Sequence, residues 1–304
     1  MIKFDVIGFG ALNVDMLFKV NKLAGAEEES SIEDYTEACG GSAANTMVGL
    51  ARLGCKVGFI GKLASDREGK LQIGCFSSEG VDTGGIIQAK KGKSGAVVGF
   101  VDRKGARALY INSGVNDTIE PREINYSYLS QTKFLHQTSF VGEKSLRAQK
   151  KLLAALPNDV KISFDPGSVY AQKGFAAIEP IIRGTYVLMP NAAELELLTG
   201  ETDYCKGADL MVELGVKIVA VKLGTKGCYV TDGQERLRIE PFKVKVVDTT
   251  GAGDAFCAGF LYGLINNKSL YECGRLGNFV ASRCVTAMGA RSGLPYAKDL
   301  AFLY

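Results

Sequence analysis

Val244-Lys245-Val246-Val247-Asp248-Thr249-Thr250-Gly251-Ala252-Gly253-Asp254-Ala255-Phe256 reads as a β-rich run, a glycine turn, and a helix with an acid in its first turn. Unpaired N–H groups and the helix dipole make such a start an anion site, and glycines let a phosphate come close. Asp254 beside it is suited to take a proton from an alcohol while nearby amides stabilise charge on a transferring phosphoryl group. A purely structural reading stands beside this one: a glycine turn with an acid complementing the dipole.

Outward from this stretch, short apolar runs alternate with longer helical ones. Strands are expected at Phe4–Ile7, Lys56–Ile60, Phe134–His136, Lys161–Phe164, Tyr186–Met189, Ile218–Lys222 and Gly227–Thr231. Helices are expected at Ser42–Leu53, Ser145–Leu156, Ala192–Leu198, Cys205–Glu213, Asp254–Asn266 and Leu270–Ala287. That alternation implies an α/β fold, a parallel sheet flanked by helices with its ligand crevice at the strands' carboxyl ends. Residues 14–38 and 93–115 break the pattern and read as strand pairs, the second turning at Arg103-Lys104-Gly105. Together they form one small β-structure over the crevice, a lid on a single domain spanning residues 1–304.

Composition narrows the function. The 304 residues carry 36 basic and 33 acidic side chains, a net +3, which argues against a nucleic-acid or anionic-membrane coat. No apolar run approaches the ~18 residues of a membrane span, and the start reads as a first strand and not as a signal peptide, so a cytoplasmic location is expected. Eight cysteines lack any Cys-x-x-Cys pair and are expected as small buried thiols, not disulfides. His136 is the only histidine and is assigned a buried structural role. Glycine is in excess, 37 residues, which suggests tight turns and close backbone approach to a ligand.

Other motifs are locally ambiguous. Asn191-Ala192-Ala193-Glu194 is close to a capping box, and equally places an amide and a carboxylate at a strand's carboxyl end, near magnesium-bound water and phosphate. Lys222-Leu223-Gly224-Thr225-Lys226-Gly227 reads as a hairpin turn or the edge of a nucleotide pocket. Cys39-Gly40-Gly41-Ser42-Ala43-Ala44-Asn45 opens a helix where a small polar ligand could approach, with Asn45 able to donate and accept. Asn13 and Asp15 could bind sugar hydroxyls or cap a turn. Gly8-Phe9-Gly10 lacks the third glycine of a dinucleotide loop, and no Gly-x-x-x-x-Gly-Lys-Ser/Thr occurs.

In order and spacing, the glycine motif through Asn45, Gly61–Gly69, Asn191–Glu194, the Gly224–Gly227 turn and Asp248–Phe256 resemble the ribokinase/PfkB family of carbohydrate kinases from end to end. The resemblance implies a ribokinase-like, Rossmann-like fold and transfer of the γ-phosphate of ATP to a carbohydrate hydroxyl. Asp254 would be the general base, with the amides of Gly251, Ala252 and Gly253 as anion hole. Asn191 and Glu194 would organise Mg²⁺ and phosphate, and Lys222, Gly224, Thr225, Gly227 and Asn278 would line the nucleotide pocket. Asn13, Asp15, Gly40, Gly41 and Asn45 would hold the sugar. Asp248 and Thr250, with backbone around Cys284, Ala287 and Gly289, match a monovalent-cation site for K⁺. The family's lid often pairs two subunits, so a homodimer through the lid is implied.

Three departures bear on the acceptor. Gln137-Thr138-Ser139 stands where ribokinase carries a glutamate, Ser42 stands for its lysine, and Phe164-Asp165-Pro166-Gly167 looks more like certain nucleoside kinases of the family. A nucleoside kinase is therefore the near alternative to a sugar kinase, with Phe18, Tyr35, Phe100 and Tyr110 as candidates to stack a base. Arg103, Lys104 and Arg107 would instead suit a phosphorylated sugar. A non-catalytic sugar- or nucleotide-binding module is the alternative of another class.

Overall fold

A computed structural model describes residues 2–103 and 106–303. Its strands are β1 (Phe4–Phe9), β2 (Asn13–Val20), β3 (Ile32–Gly40), β4 (Val57–Leu63), β5 (Asp82–Gln88), β6 (Gly95–Val101) and β7 (Arg107–Asn112). There follow β8 (Thr132–Thr138), β9 (Lys161–Asp165), β10 (Val187–Leu188), β11 (Ile218–Lys222), β12 (Cys228–Thr231) and β13 (Arg236–Ile239).

Nine strands form the main sheet in the order β13-β12-β11-β10-β9-β8-β1-β4-β5. Strands from β11 through β5 run parallel, while β12 and β13 are antiparallel additions at one edge. A parallel sheet is covered on both faces, which is why its strands are near-continuous apolar runs. Successive residues of β1 show this: Val6 belongs to one core cluster and Ile7 to the other. Helices Ser42–Arg52, Ala252–Ile265 and Leu270–Cys284 cover the first face; Glu143–Leu153, Phe175–Arg183, Ala192–Thr199 and Tyr204–Glu213 cover the second.

The remaining four strands make a separate small sheet, ordered β3-β2-β6-β7. They occupy the two stretches that broke the α/β alternation. β2 is antiparallel to β3 and parallel to β6, so the two hairpins join along their inner strands. Of the turn expected between β6 and β7, Lys104 and Gly105 lie outside the described residues.

Two expectations are corrected. Residues 241–247 form no strand; Val246 and Val247 are half exposed, and the Val247 N–H bonds Val285 O (2.8 Å) in place of a ladder partner. Cys39 and Cys75 are joined in a disulfide, because the end of β3 lies against helix Arg67–Ser78. That helix and β5 were not among the expected elements; the helix starts at a cap, with Asp66 Oδ1 accepting from Gly69 N (2.9 Å). No helix among the described residues is long and apolar enough to cross a membrane.

His136 is fully buried in β8, its Nδ1 2.9 Å from Ser163 Oγ and its Nε2 without a partner among the described residues. Burial pushes its pKa down to about 4, with Asp165 opposing. The unfolded chain therefore binds the proton first, and stability falls as pH drops from the ordinary histidine value towards 4. Between pH 7 and pH 5 this one group should cost about 2 kcal/mol. Urea midpoints of wild type and His136→Gln at both pH values test this; the variant should lose that much of the pH dependence.

Candidate active site

Parallel strands bring their carboxyl ends to one edge, and the chemistry collects there. β9 ends in Asp165 and β11 in Lys222; the Lys222 ammonium meets Asp165 Oδ2 at 2.6 Å across the end of the two-residue β10. The Cys257 thiol donates to the same oxygen (3.4 Å). Burial works against the ammonium, yet the facing Asp165 carboxylate holds the Lys222 pKa above its ordinary value.

After β10 the chain turns at Asn191, whose backbone bridges to Lys222. Asn191 and Glu194 complete a reciprocal capping box, each side chain accepting from the other's backbone N–H at 2.8 Å. The capping reading is thus correct, and it also holds Glu194 beside the ion pair. Burial, then the neighbouring Asp165, raises the Glu194 carboxyl.

Helix Ala252–Ile265 starts next to this cluster. Gly251 precedes it at φ 77°, a left-handed conformation in which a Cβ would also strike Ala290. No side chain caps this start. The Ala252 N–H turns back to Thr249 O (3.2 Å), while those of Gly251, Gly253 and Asp254 have no acceptor among the described residues. Lys222 Nζ lies 3.3 Å from where a Cβ on Gly253 would sit, so a buried cation underlies the open amides.

Asp254 faces the other way, towards helix Ser42–Arg52. Asn45 Nδ2 donates to its Oδ2 at 2.8 Å, and Arg291 Nε donates to Asn45 Oδ1, also at 2.8 Å. Burial pushes the Asp254 pKa up to about 7, against the Asn45 bond and the Lys222 and Arg291 charges.

The root of the small sheet completes this side. Gly41 stands at φ 109° against Ala11 O, and Gly40 lies against the Asp15 carboxylate. Burial takes Asp15 up to about 6, with Arg291 opposing. Asn116 Nδ2 donates to Asn13 Oδ1 (3.0 Å), and Gln72 Nε2 donates to the carbonyls of Asn13 and Gly40. Alternation along β2 sets Phe18 on the face opposite Asp15. Phe18 stacks on Tyr35 and Phe100, and Phe100 meets Tyr110 edge-on, so this aromatic row turns away from Asp15. Arg103 is ion-paired with Glu33, Lys104 lies outside the described residues, and the Arg107 side chain is not among those described.

Two further groups lie around this centre. Gly224 and Thr225 stand in an exposed turn between β11 and β12, and Gly227 presses on Ile239 O. Asn278 Nδ2 donates to Ile239 O (3.1 Å) and Glu240 O (3.0 Å), fixing the chain where β13 ends. Asp248 holds two loops: Oδ1 accepts from Thr250 N (2.9 Å) and Oγ1 (2.8 Å), and Oδ2 from Gly289 N (2.8 Å). Arg291, Asp165, Gln72 and Asn116 had no role in the sequence reading. Asp165 stood in a quoted motif, while Arg291 sits in a C-terminal loop with no local signal.

The fold is that of the ribokinase-like kinases. The chain belongs to the pfkB family of carbohydrate kinases, whose model matches residues 3–297. It is 46% identical over 255 residues to a protein of Archaeoglobus fulgidus named as an uncharacterized sugar kinase, covering 83% of this chain and 100% of that one. It is 31% identical over 300 residues to the ribokinase of Haemophilus influenzae, covering 95% of each. The ribokinase of Arabidopsis thaliana, solved with ribose and ATP, superposes with a TM-score of 0.89 at 26% identity, over 100% of this chain and 99% of that one.

The Lys222–Asp165 pair is 13% and 8% exposed at its side chains. Removing one member strands the other in the interior, so Lys222→Met should cost about 3–5 kcal/mol of stability. Denaturant unfolding measures it, and Lys222→Met with Asp165→Leu should recover a large part.

Proposed function

We propose that this sugar kinase transfers the γ-phosphate of ATP to a hydroxyl of a carbohydrate, with Asp254 as the general base. The observation that carries it is the joint placement of the Asp254 carboxylate, the open N–H groups at its helix start and the buried Lys222 ammonium. Asp254 Oδ1 takes the acceptor's proton, the freed oxygen forms its bond to the γ-phosphorus, and the bond to ADP breaks. The amides of Gly251 and Gly253, with Ala252 between them, stabilise the equatorial oxygens. Asn13, Asp15, Gly40, Gly41 and Asn45 would hold the sugar; Asn45 keeps one N–H for it, since its Oδ1 and other N–H are engaged.

Asn191, Lys222, Gly224, Thr225, Gly227 and Asn278 would receive the nucleotide, Lys222 from beneath the phosphates. Glu194, which spends Oε2 on its capping bond to Asn191 N, would hold a largely hydrated Mg²⁺ through water with its other oxygen. Mg²⁺ bound there would neutralise phosphate charge. Asp248 and Thr250, which hold the loop beside the helix start, would hold K⁺.

The chain is proposed as one kinase domain, cytoplasmic, with the small sheet as a lid that keeps water from the base. Exposed Ile32, Tyr35, Tyr110 and Ile111 on that sheet support a homodimer through it. The outward turn of the aromatic row favours a sugar acceptor over a nucleoside.

Asp254→Asn should lower kcat by at least about 10²–10⁴-fold with nucleotide affinity retained, read by coupled assay and nucleotide titration. In wild type, kcat/KM should fall as pH drops through about 7, because the base is then protonated. Near-normal turnover of Asp254→Asn would remove Asp254 from this role.

A further inference from the structure

Arg291 is a half-buried arginine with no ion pair among the described residues. No carboxylate among the described residues lies within ion-pair distance of it, and its Nη2 is enclosed with no acceptor. An enclosed, unpartnered donor on a charged group is unfavourable, so this arginine is poorly explained by stability. Its one side-chain bond, Nε to Asn45 Oδ1 at 2.8 Å, leads directly to Asp254 through Asn45 Nδ2.

The placement is built. Asn45 and Arg52 lie seven residues, two turns, apart on the same stripe of helix Ser42–Arg52. Arg52, clamped by both oxygens of Glu79, donates to the carbonyls of Arg291 (2.7 Å) and Leu294 (3.2 Å). One end of the stripe thus holds the Arg291 backbone while the other receives its side chain.

An amide can face a carboxylate in two ways. With its N–H₂ forward it stabilises the ionised carboxylate, which is the proton acceptor. With its oxygen forward it accepts from a protonated carboxyl, and the base is disabled. A guanidinium only donates, so the amide atom facing Arg291 must be oxygen, and the N–H₂ is left towards Asp254. We propose that Arg291 is the positioning residue for the base: by donating to Asn45 Oδ1 it fixes the amide orientation that keeps Asp254 ready to accept a proton.

The remaining surroundings do not duplicate this. Asp165 from β9 opposes ionisation of Asp254, and Lys222 from β11 favours it while committed to Asp165. Cys257 on the same helix and Cys284 from helix Leu270–Cys284 face Asp254 as neutral thiols, their pKa values raised by burial. Asp15 on β2 faces Arg291 without a hydrogen bond to it.

The inference rests on Asp254 as base, and the experiment keeps the two apart. Acid limbs of kcat/KM are measured for wild type, Arg291→Met, Arg291→Lys, Asn45→Ala and Asn45→Ala/Arg291→Met, with thermal unfolding and nucleotide affinity as checks on the fold. Arg291→Met should move the acid limb up by roughly one pH unit and lower turnover at pH 7 by up to about tenfold. Arg291→Lys, which still carries a donor, should recover part of the shift, and so reports the role even where Arg291→Met folds poorly. In the Asn45→Ala background the further loss on Arg291→Met should vanish, because the effect runs through that amide. An unmoved acid limb in Arg291→Met, or additive losses in the double variant, overturns the proposal while an inactive Asp254→Asn leaves the base in place. An active Asp254→Asn overturns the base itself.

Discussion

The ion pair between Lys222 and Asp165 closes over the shortest strand of the sheet. β10 is two residues long, and beyond it the chain must leave at Asn191 to start the next helix. With β10 so brief, the ends of β9 and β11 would lack a spacer; the 2.6 Å contact joins them directly. The cost is a charge pair held out of water, offset by mutual attraction and by the Cys257 thiol on the same carboxylate. The gain is a fixed cation at the floor of the cleft, beside Gly253 and Glu194.

Around that floor, two independent parts of the chain approach from opposite sides. The glycine turn at 251 opens a helix whose first N–H groups remain without side-chain caps, at a place where stability alone would favour serine or aspartate. From the other side, helix Ser42–Arg52 starts behind Gly41 with no cap and no acid in its first turn. Two bare helix starts facing one cleft leave positive ends open to anionic and polar ligands. Asp254, Asn45 and Arg291 link them into one hydrogen-bonded line.

Much of this was legible in sequence because glycine, asparagine and acid at fixed spacing have few mechanical uses. Gly251-Ala252-Gly253-Asp254 announced a turn and a helix start with an acid in its first turn, and the strand–helix alternation implied the parallel sheet. The small sheet was legible as two stretches without helical period, although the parallel pairing of β2 with β6 could not be read from either stretch alone. Val244–Val247 has the β-branched composition of a strand and forms none, because pairing needs a neighbour that composition does not specify. Arg291 and Gln72 were silent for the opposite reason: each works through contacts made only once distant segments meet. Cys39 and Cys75 lie 36 residues apart, and their pairing depends on a helix that was not among the expected elements.

That covalent link fixes more than two side chains. Cys39 stands at the end of β3 nearest the main sheet, where Gln72 also grips Asn13 and Gly40, and Asn116 grips Leu12 and Asn13. All these restraints act on one corner of the small sheet, so that corner behaves as a fulcrum. The eight residues of β2 extend from it by about 25 Å, making the sheet a lever anchored at its root. A rotation of a few degrees there hardly displaces Asp15, two residues from the anchor, yet sweeps the tip beyond Val20 through ångströms. The root around Asp15 can therefore stay rigid while the distal rim travels.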